Sequence, residues 1–151
     1  MGLAVVALLA MTLVSCGTEP LTEEAYGTEL RSTMGELEEA YGDAIGETAG
    51  GGATPADAEE LRSAQLALRD AGNRLDEIDP PEGLEDEHAD LVSGVRDMAD
   101  DVTLLVDATE LAETDPARAK ELTAKFAASK AFRQVGDAAS RLDRAGIDAG
   151  L

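Results

Sequence analysis

Between residues 22 and 145 the apolar side chains recur three and four positions apart in four successive segments, a spacing that suits helices and excludes strands. Tyr26, Leu30, Met34, Leu37, Tyr41 and Ile45 form the first stripe, which predicts a helix from about Thr22 to Glu47, ended by Gly50-Gly51-Gly52. The second segment opens with Thr54 as N-cap, Pro55 at the first helical position and Asp57 three residues after the cap. Its stripe is Leu61, Ala64, Leu68, Ala71, Leu75 and Ile78, and Asp79-Pro80-Pro81 breaks the chain. Leu84, His88, Leu91, Val95, Met98, Val102 and Leu105 mark a third helix that ends near Glu113. Asp115-Pro116 caps a fourth, expected to continue to about Ala145 through Leu122, Phe126, Phe132, Val135, Ala139 and Leu142. No segment alternates with the two-residue period of a strand. The expected fold is all-α, an antiparallel up-down-up-down four-helix bundle over residues 22–151.

The formal charge is −20, from 32 acidic and 12 basic side chains. A polyanion needs a basic stripe and this chain has none, which argues against nucleic acid as a partner. Direct adsorption to anionic headgroups is disfavoured for the same reason. Cations and basic partners are attracted instead. Residues 17–50 and 80–114 are the most acidic stretches, and 115–151 is the one net basic stretch. The fourth helix is therefore expected to lie against the first and third. Each surface ion pair contributes only about 0–1 kcal/mol, so the pattern matters more than any one pair.

Ahead of the helices, Leu3 to Val14 is almost purely Ala, Val, Leu and Met. A membrane-spanning helix needs about 20 such residues, and this run is shorter. The chain's one cysteine follows at Cys16. Leu13-Val14-Ser15-Cys16 resembles the lipobox of bacterial lipoproteins, in which the cysteine thiol receives a diacylglycerol and the peptide before it is removed. The resemblance implies a signal peptide at residues 1–15 and a lipidated N-terminus with a short tether at residues 16–21. It also implies attachment to the extracytoplasmic face of the cell membrane. Buried acyl chains contribute about 0.8 kcal/mol per methylene, so release would be negligible. That tether reaches roughly 20 Å at full stretch. A lipidated Cys16 is not available for disulfide, metal or nucleophilic chemistry.

Candidates for chemistry are few. His88 is the single histidine, and Glu85-x-x-His88 matches half of the motif used by di-iron bundles, which need a second copy. A single-metal site from His88, Glu85 and neighbouring carboxylates is one reading. The other packs His88 at the bundle end, hydrogen-bonded to a carbonyl of the Asp79–Gly83 turn. Glu36-Leu37-Glu38-Glu39, Glu85-Asp86-Glu87 and Asp97, Asp100 and Asp101 lack the wrapping loop that calcium requires and read as solvated helix faces. No Ser-His-Asp set, Gly-rich phosphate loop or Cys-x-x-Cys occurs, so neither catalysis nor a cofactor is expected. Gly27, Gly35, Gly42 and Gly46 each weaken the first helix by about 1 kcal/mol relative to Ala, unless they serve close helix packing along Thr28, Gly35, Gly42 and Ala49.

The run Leu75-Asp76-Glu77-Ile78-Asp79-Pro80-Pro81, with His88 seven residues on, resembles a corner found in small helical lipoproteins of high-GC Gram-positive bacteria. The resemblance implies an exported helical domain and no particular reaction. The expectation is a non-catalytic acidic lipoprotein, a binding or accessory module for an envelope protein or a cationic ligand. The alternative is a metal-binding or metal-delivery lipoprotein built on His88. An apolar groove beside exposed Tyr26 or Tyr41 favours the first; His88 converging with carboxylates from separate helices favours the second.

Overall fold

The apolar stripes become helices nearly where their spacing places them. A computed structural model describes residues 21–49 and 58–150, and its helices are α1 (Glu23–Ala49), α2 (Ala58–Asp76), α3 (Glu85–Leu111), α4 (Pro116–Ala127) and α5 (Ala131–Arg144). There is no strand among the described residues. Thr22 starts α1, its hydroxyl accepting from the Ala25 N–H at 3.3 Å, with Glu23 and Glu24 at the positive end of the helix dipole. Asp115 caps α4 by accepting from the Arg118 N–H at 3.0 Å, and Pro116 occupies the first turn as expected. The Thr54-Pro55 start signal and the triple glycine lie outside the described residues.

Helix α3 is the hub. It packs against α2, α4 and α5, and α2 in turn supports α1. Its expected stripe is buried from His88 to Leu105, and Val92, Ala99 and Val106 beside it are buried too. Gly94 permits the closest approach: a Cβ there would meet Val135 Cγ2 at 2.8 Å and the Val135 backbone nitrogen at 3.2 Å. Between α2 and α3, Arg96 pairs with Asp76, Arg69 with Asp100 and Arg62 with Glu110, and Gln65 hydrogen-bonds Thr103. Between α3 and α5, Arg141 pairs with Asp90. Arg74 joins α2 to Glu36 of α1. The cross-helix arginines therefore come mainly from α2 and α3, not from the net basic C-terminal stretch.

The single fourth helix expected to reach Ala145 is two helices. Ala128, Ser129 and Lys130 interrupt it, although nothing in Ala-Ala-Ser-Lys forbids continuation. A tertiary contact sits at the interruption: the Ser129 hydroxyl donates to Asp101 of α3 and accepts from the Ala131 N–H at 3.1 Å, so one side chain docks the joint and satisfies the first N–H of α5. Phe132, expected in the core, is 71% exposed, whereas Val135, Ala139 and Leu142 stay buried.

The end of α5 explains how the C-terminal stretch meets α1. Gly146, at φ +92°, donates to Asp143 and lets Ile147 donate back to Leu142 at 2.9 Å, the double-bonded Schellman stop that a left-handed residue makes possible. Ile147 and Ala149 are buried, with Ile147 beside Gly27, and Asp148 pairs with Arg31 at 3.4 Å. Gly27 thus has a packing partner. Gly35 and Gly42 do not: a Cβ at either meets nothing within 4 Å among the described residues, which does not support the close-packing reading at these two positions.

Two substitutions follow. Gly94→Ala forces α5 away from α3 because the clash includes backbone, and should cost about 1–3 kcal/mol in urea unfolding. Gly35→Ala removes a helix-interior glycine without a clash and should gain about 0.5–1 kcal/mol. Equal midpoints for the two variants would show that the α3–α5 approach is not tight.

Candidate functional site

His88 lies one turn into α3, where the Asp79–Leu84 corner turns the chain back from α2. Gly83, at φ +89°, occupies the turn position that needs a left-handed residue, closed by Leu84 N–H donating to the Pro81 carbonyl at 3.1 Å. The corner aims the imidazole inward, and it is 7% exposed. Its Nδ1 lies 2.9 Å from the hydroxyl of fully buried Tyr26 on α1, with ring centroids 5.7 Å apart. The Leu75 backbone carbonyl in the last turn of α2 is its other polar neighbour and favours the protonated ring. A neutral imidazole has one N–H; with that proton on the carbonyl side, Nδ1 accepts from Tyr26. One histidine therefore ties together three helices.

Burial governs the electrostatics here. It pulls the His88 pKa below its ordinary 6.5, against the opposing pull of the Leu75 carbonyl and of Asp76 and Asp79. Burial, aided by the Glu87 charge, pushes the Tyr26 phenol up to about 12. Both groups are neutral near pH 7, as a hydroxyl donating to an unprotonated nitrogen requires.

The structure does not bring together the metal ligands considered from the sequence. Glu85 is exposed, and its Oε2 accepts from the Gly83 N–H at 2.8 Å, while His88 is buried with its Nδ1 on the Tyr26 hydroxyl. Among the described residues no group of three or more His, Cys, Asp or Glu is arranged to hold a metal ion. The carbonyl His88 meets belongs to Leu75, just upstream of the turn where one was expected. Cys16 lies outside the described residues.

A second feature was not legible as a site. Tyr41 of α1, Phe126 of α4 and Phe132 of α5 line a cavity of about 200 Å³ with Met98 and Asp101 of α3 and Ser129 at the joint. Tyr41 and Phe132 lie nearly parallel, with centroids 6.4 Å apart. The chain has only two Tyr and two Phe, so all its aromatic residues except Tyr26 meet here. The spacing within each helix hides this meeting, because it joins side chains of three separate helices. The one sequence signal was the exposed-Tyr41 criterion: Tyr41 is half-buried beside an open cavity, and Tyr26 is not.

No protein-family model, characterised protein or solved structure matches this chain. No helix among the described residues is long and apolar enough to cross a membrane.

The three-helix tie has a pH signature. Between pH 6.5 and the lower folded pKa of His88, the unfolded chain binds a proton that the folded chain does not, so stability should fall as pH drops through that window. Thermal melts between pH 8 and 5.5 should show this loss, and His88→Gln should flatten it there. Tyr26→Phe leaves the buried Nδ1 without a donor and should cost about 1–3 kcal/mol at pH 8. A pH slope unchanged in His88→Gln would assign it to other groups.

Proposed function

We propose that this chain is a lipid-anchored lipoprotein of the extracytoplasmic membrane face whose helical domain is a non-catalytic binding module. The observation that carries the reading is Leu13-Val14-Ser15-Cys16 at the end of a twelve-residue apolar run, a few residues before the first helix. The start of the described fold suits a tether at that point. Leu21 packs against the core and its N–H lies 3.4 Å from the Asp79 carbonyl, so the chain leaves the domain beside the Pro80-Pro81 corner. On this reading the five residues Cys16 to Pro20 separate the lipid from the domain, a reach of at most about 17 Å.

The domain reading is an antiparallel bundle in which α1, α2, α3 and the α4–α5 pair run up, down, up and down. Paired residue numbers support it, because as one rises its partner falls. Asp76, Arg69 and Arg62 of α2 meet Arg96, Asp100 and Glu110 of α3. Asp90, Gly94 and Asp101 of α3 meet Arg141, Val135 and Ser129 of the C-terminal stretch. In this arrangement the Tyr26–His88 tie is structural and faces the tether, and the aromatic cavity lies toward the other end of α1. A binding role is favoured over a metal role because the Tyr26 hydroxyl occupies the His88 Nδ1 and, among the described residues, no group of three or more His, Cys, Asp or Glu could hold a metal ion.

Membrane fractionation tests the anchor. Wild-type chain should sediment with membranes, and mass spectrometry should find Cys16 at the mature N-terminus carrying acyl mass. Cys16→Ala should lose that modification and leave the precursor uncleaved. Cleavage of Cys16→Ala at the same position as wild type would overturn the lipoprotein reading.

A further inference from the structure

We propose that the cavity between Tyr41, Phe126, Phe132 and Asp101 binds a small soluble quaternary-ammonium cation. This deepens the binding-module reading and rests on it. Aromatic rings attract a cation placed within about 6 Å of their faces, an interaction worth about 0.5–1 kcal/mol when exposed and about 2 when desolvated. Three rings from three separate helices supply such walls, with Met98 as an additional soft contact. A single Phe left 71% exposed is unremarkable, but here the exposed ring borders a cavity that Tyr41 and Phe126 also line.

Charge selects the ligand's sign. Asp101 borders the cavity half-buried, and no basic side chain pairs with it among the described residues. Its hydrogen-bond partner is the neutral Ser129 hydroxyl, which fixes the carboxylate without cancelling its charge. The Tyr41 phenol registers both surroundings: burial first, then the Asp101 charge, raise its pKa. Lys130 and Arg133, close in sequence to Phe132, line a different groove with Asp90, Gln134, Asp137 and Arg141. A cation in the aromatic cavity is therefore opposed by no wall charge.

The polar inventory selects the kind of cation. A primary ammonium is strongly hydrated and carries three N–H donors that need acceptors. The cavity provides little beyond Asp101, one of whose oxygens already accepts from Ser129, and the Tyr41 hydroxyl. An alkylated ammonium has no N–H to satisfy and presents methyl groups to the rings. At about 200 Å³ the space is below the roughly 300–1,000 Å³ of drug-sized pockets, which suits a headgroup-sized solute.

Position selects the source. Tyr41 lies 18 residues along α1 from Glu23, about 27 Å of helix rise from the tethered end. A lipid headgroup of the anchoring membrane sits at the opposite end of α1, so the cation comes from solution.

The experiment titrates choline chloride into the full mature protein in detergent micelles, read by calorimetry. The neutral isostere 3,3-dimethylbutan-1-ol, sodium chloride and phosphatidylcholine vesicles are titrated in parallel. Saturable choline binding is expected, weakened at least tenfold in Phe132→Ala and in Asp101→Asn, with no saturable signal from the alcohol or the salt. Phe132 is exposed and Asp101 half-buried, and circular dichroism melts should show that both variants fold. Absence of saturable choline binding in a folded wild-type protein overturns the proposal. So does undiminished binding in Phe132→Ala, or equal binding of the alcohol. Vesicles that occupy the site as well as free choline does would overturn the soluble source. Membrane-held wild type that is silent to choline sinks the site and leaves the anchor standing; choline binding with Cys16→Ala processed normally does the reverse.

Discussion

Helix α3 has more apolar surface than a two-helix contact can cover, and the rest of the fold follows from that. A helix with one seam of buried residues needs one neighbour. Here the seam of His88, Leu91, Val95, Met98, Val102 and Leu105 is widened by Val92, Ala99 and Val106, with Gly94 and Ala108 to one side. Such a stripe is covered only when α2 lies along one flank and α4 and α5 along the other. The small residues set the distances. Gly94 admits Val135 at a separation that any side chain would prevent. Ala108 forms a smaller apolar cluster with Ala119 and Leu122, which seats α4 at the far end of α3.

Helix α1 depends on different forces. Its listless stripe of interior glycines gives it poor intrinsic stability, and its main helical neighbour is α2. Its stripe of Tyr26, Leu30, Met34 and Leu37 is buried in the main core, and three further contacts fix its place: the Tyr26 hydroxyl on His88, the Glu36–Arg74 pair, and the C-terminal segment folded over Gly27. The exposed ion pairs among these each contribute little. The Tyr26–His88 bond is buried, so breaking it leaves a polar atom without water, and its loss costs more than its formation gains. That asymmetry makes a single neutral hydrogen bond the effective lock between α1 and the α2–α3 corner.

The helices were legible because burial is periodic: Tyr26 to Leu37 of α1, Leu61 to Leu75 of α2 and His88 to Leu105 of α3 are buried where their spacing placed them. The corner at Asp79-Pro80-Pro81 and the start at Asp115-Pro116 were legible because proline constrains its neighbours locally. What escaped has a common physical origin in contacts between distant residues. Ser129 reads as an ordinary residue inside a helix until Asp101, 28 positions earlier, accepts its hydroxyl proton. Three residues on, Phe132 is exposed while Val135, Ala139 and Leu142 keep the stripe where their spacing had placed them. Gly35 and Gly42 repeat at a packing interval yet face open space. Their spacing carried no information about neighbours. His88 was legible as buried, but its choice of Tyr26 over a metal depended on which helix α1 met.

The same joint links fold and function. At the joint the Ser129 hydroxyl holds the Asp101 carboxylate, and three residues on Phe132 lies exposed. An exposed aromatic ring and a fixed carboxylate therefore meet at one point, with Tyr41 and Phe126 alongside. Neither feature benefits the core: Phe132 forfeits burial that its side chain would otherwise contribute, about 1.5–3 kcal/mol for a residue of this size. In a chain with four aromatic residues, leaving one of them at the mouth of a cavity is a large concession. Stability alone gives no reason for it. A cation held among the three rings does, because the attraction of their π systems for positive charge is available only where the rings remain accessible.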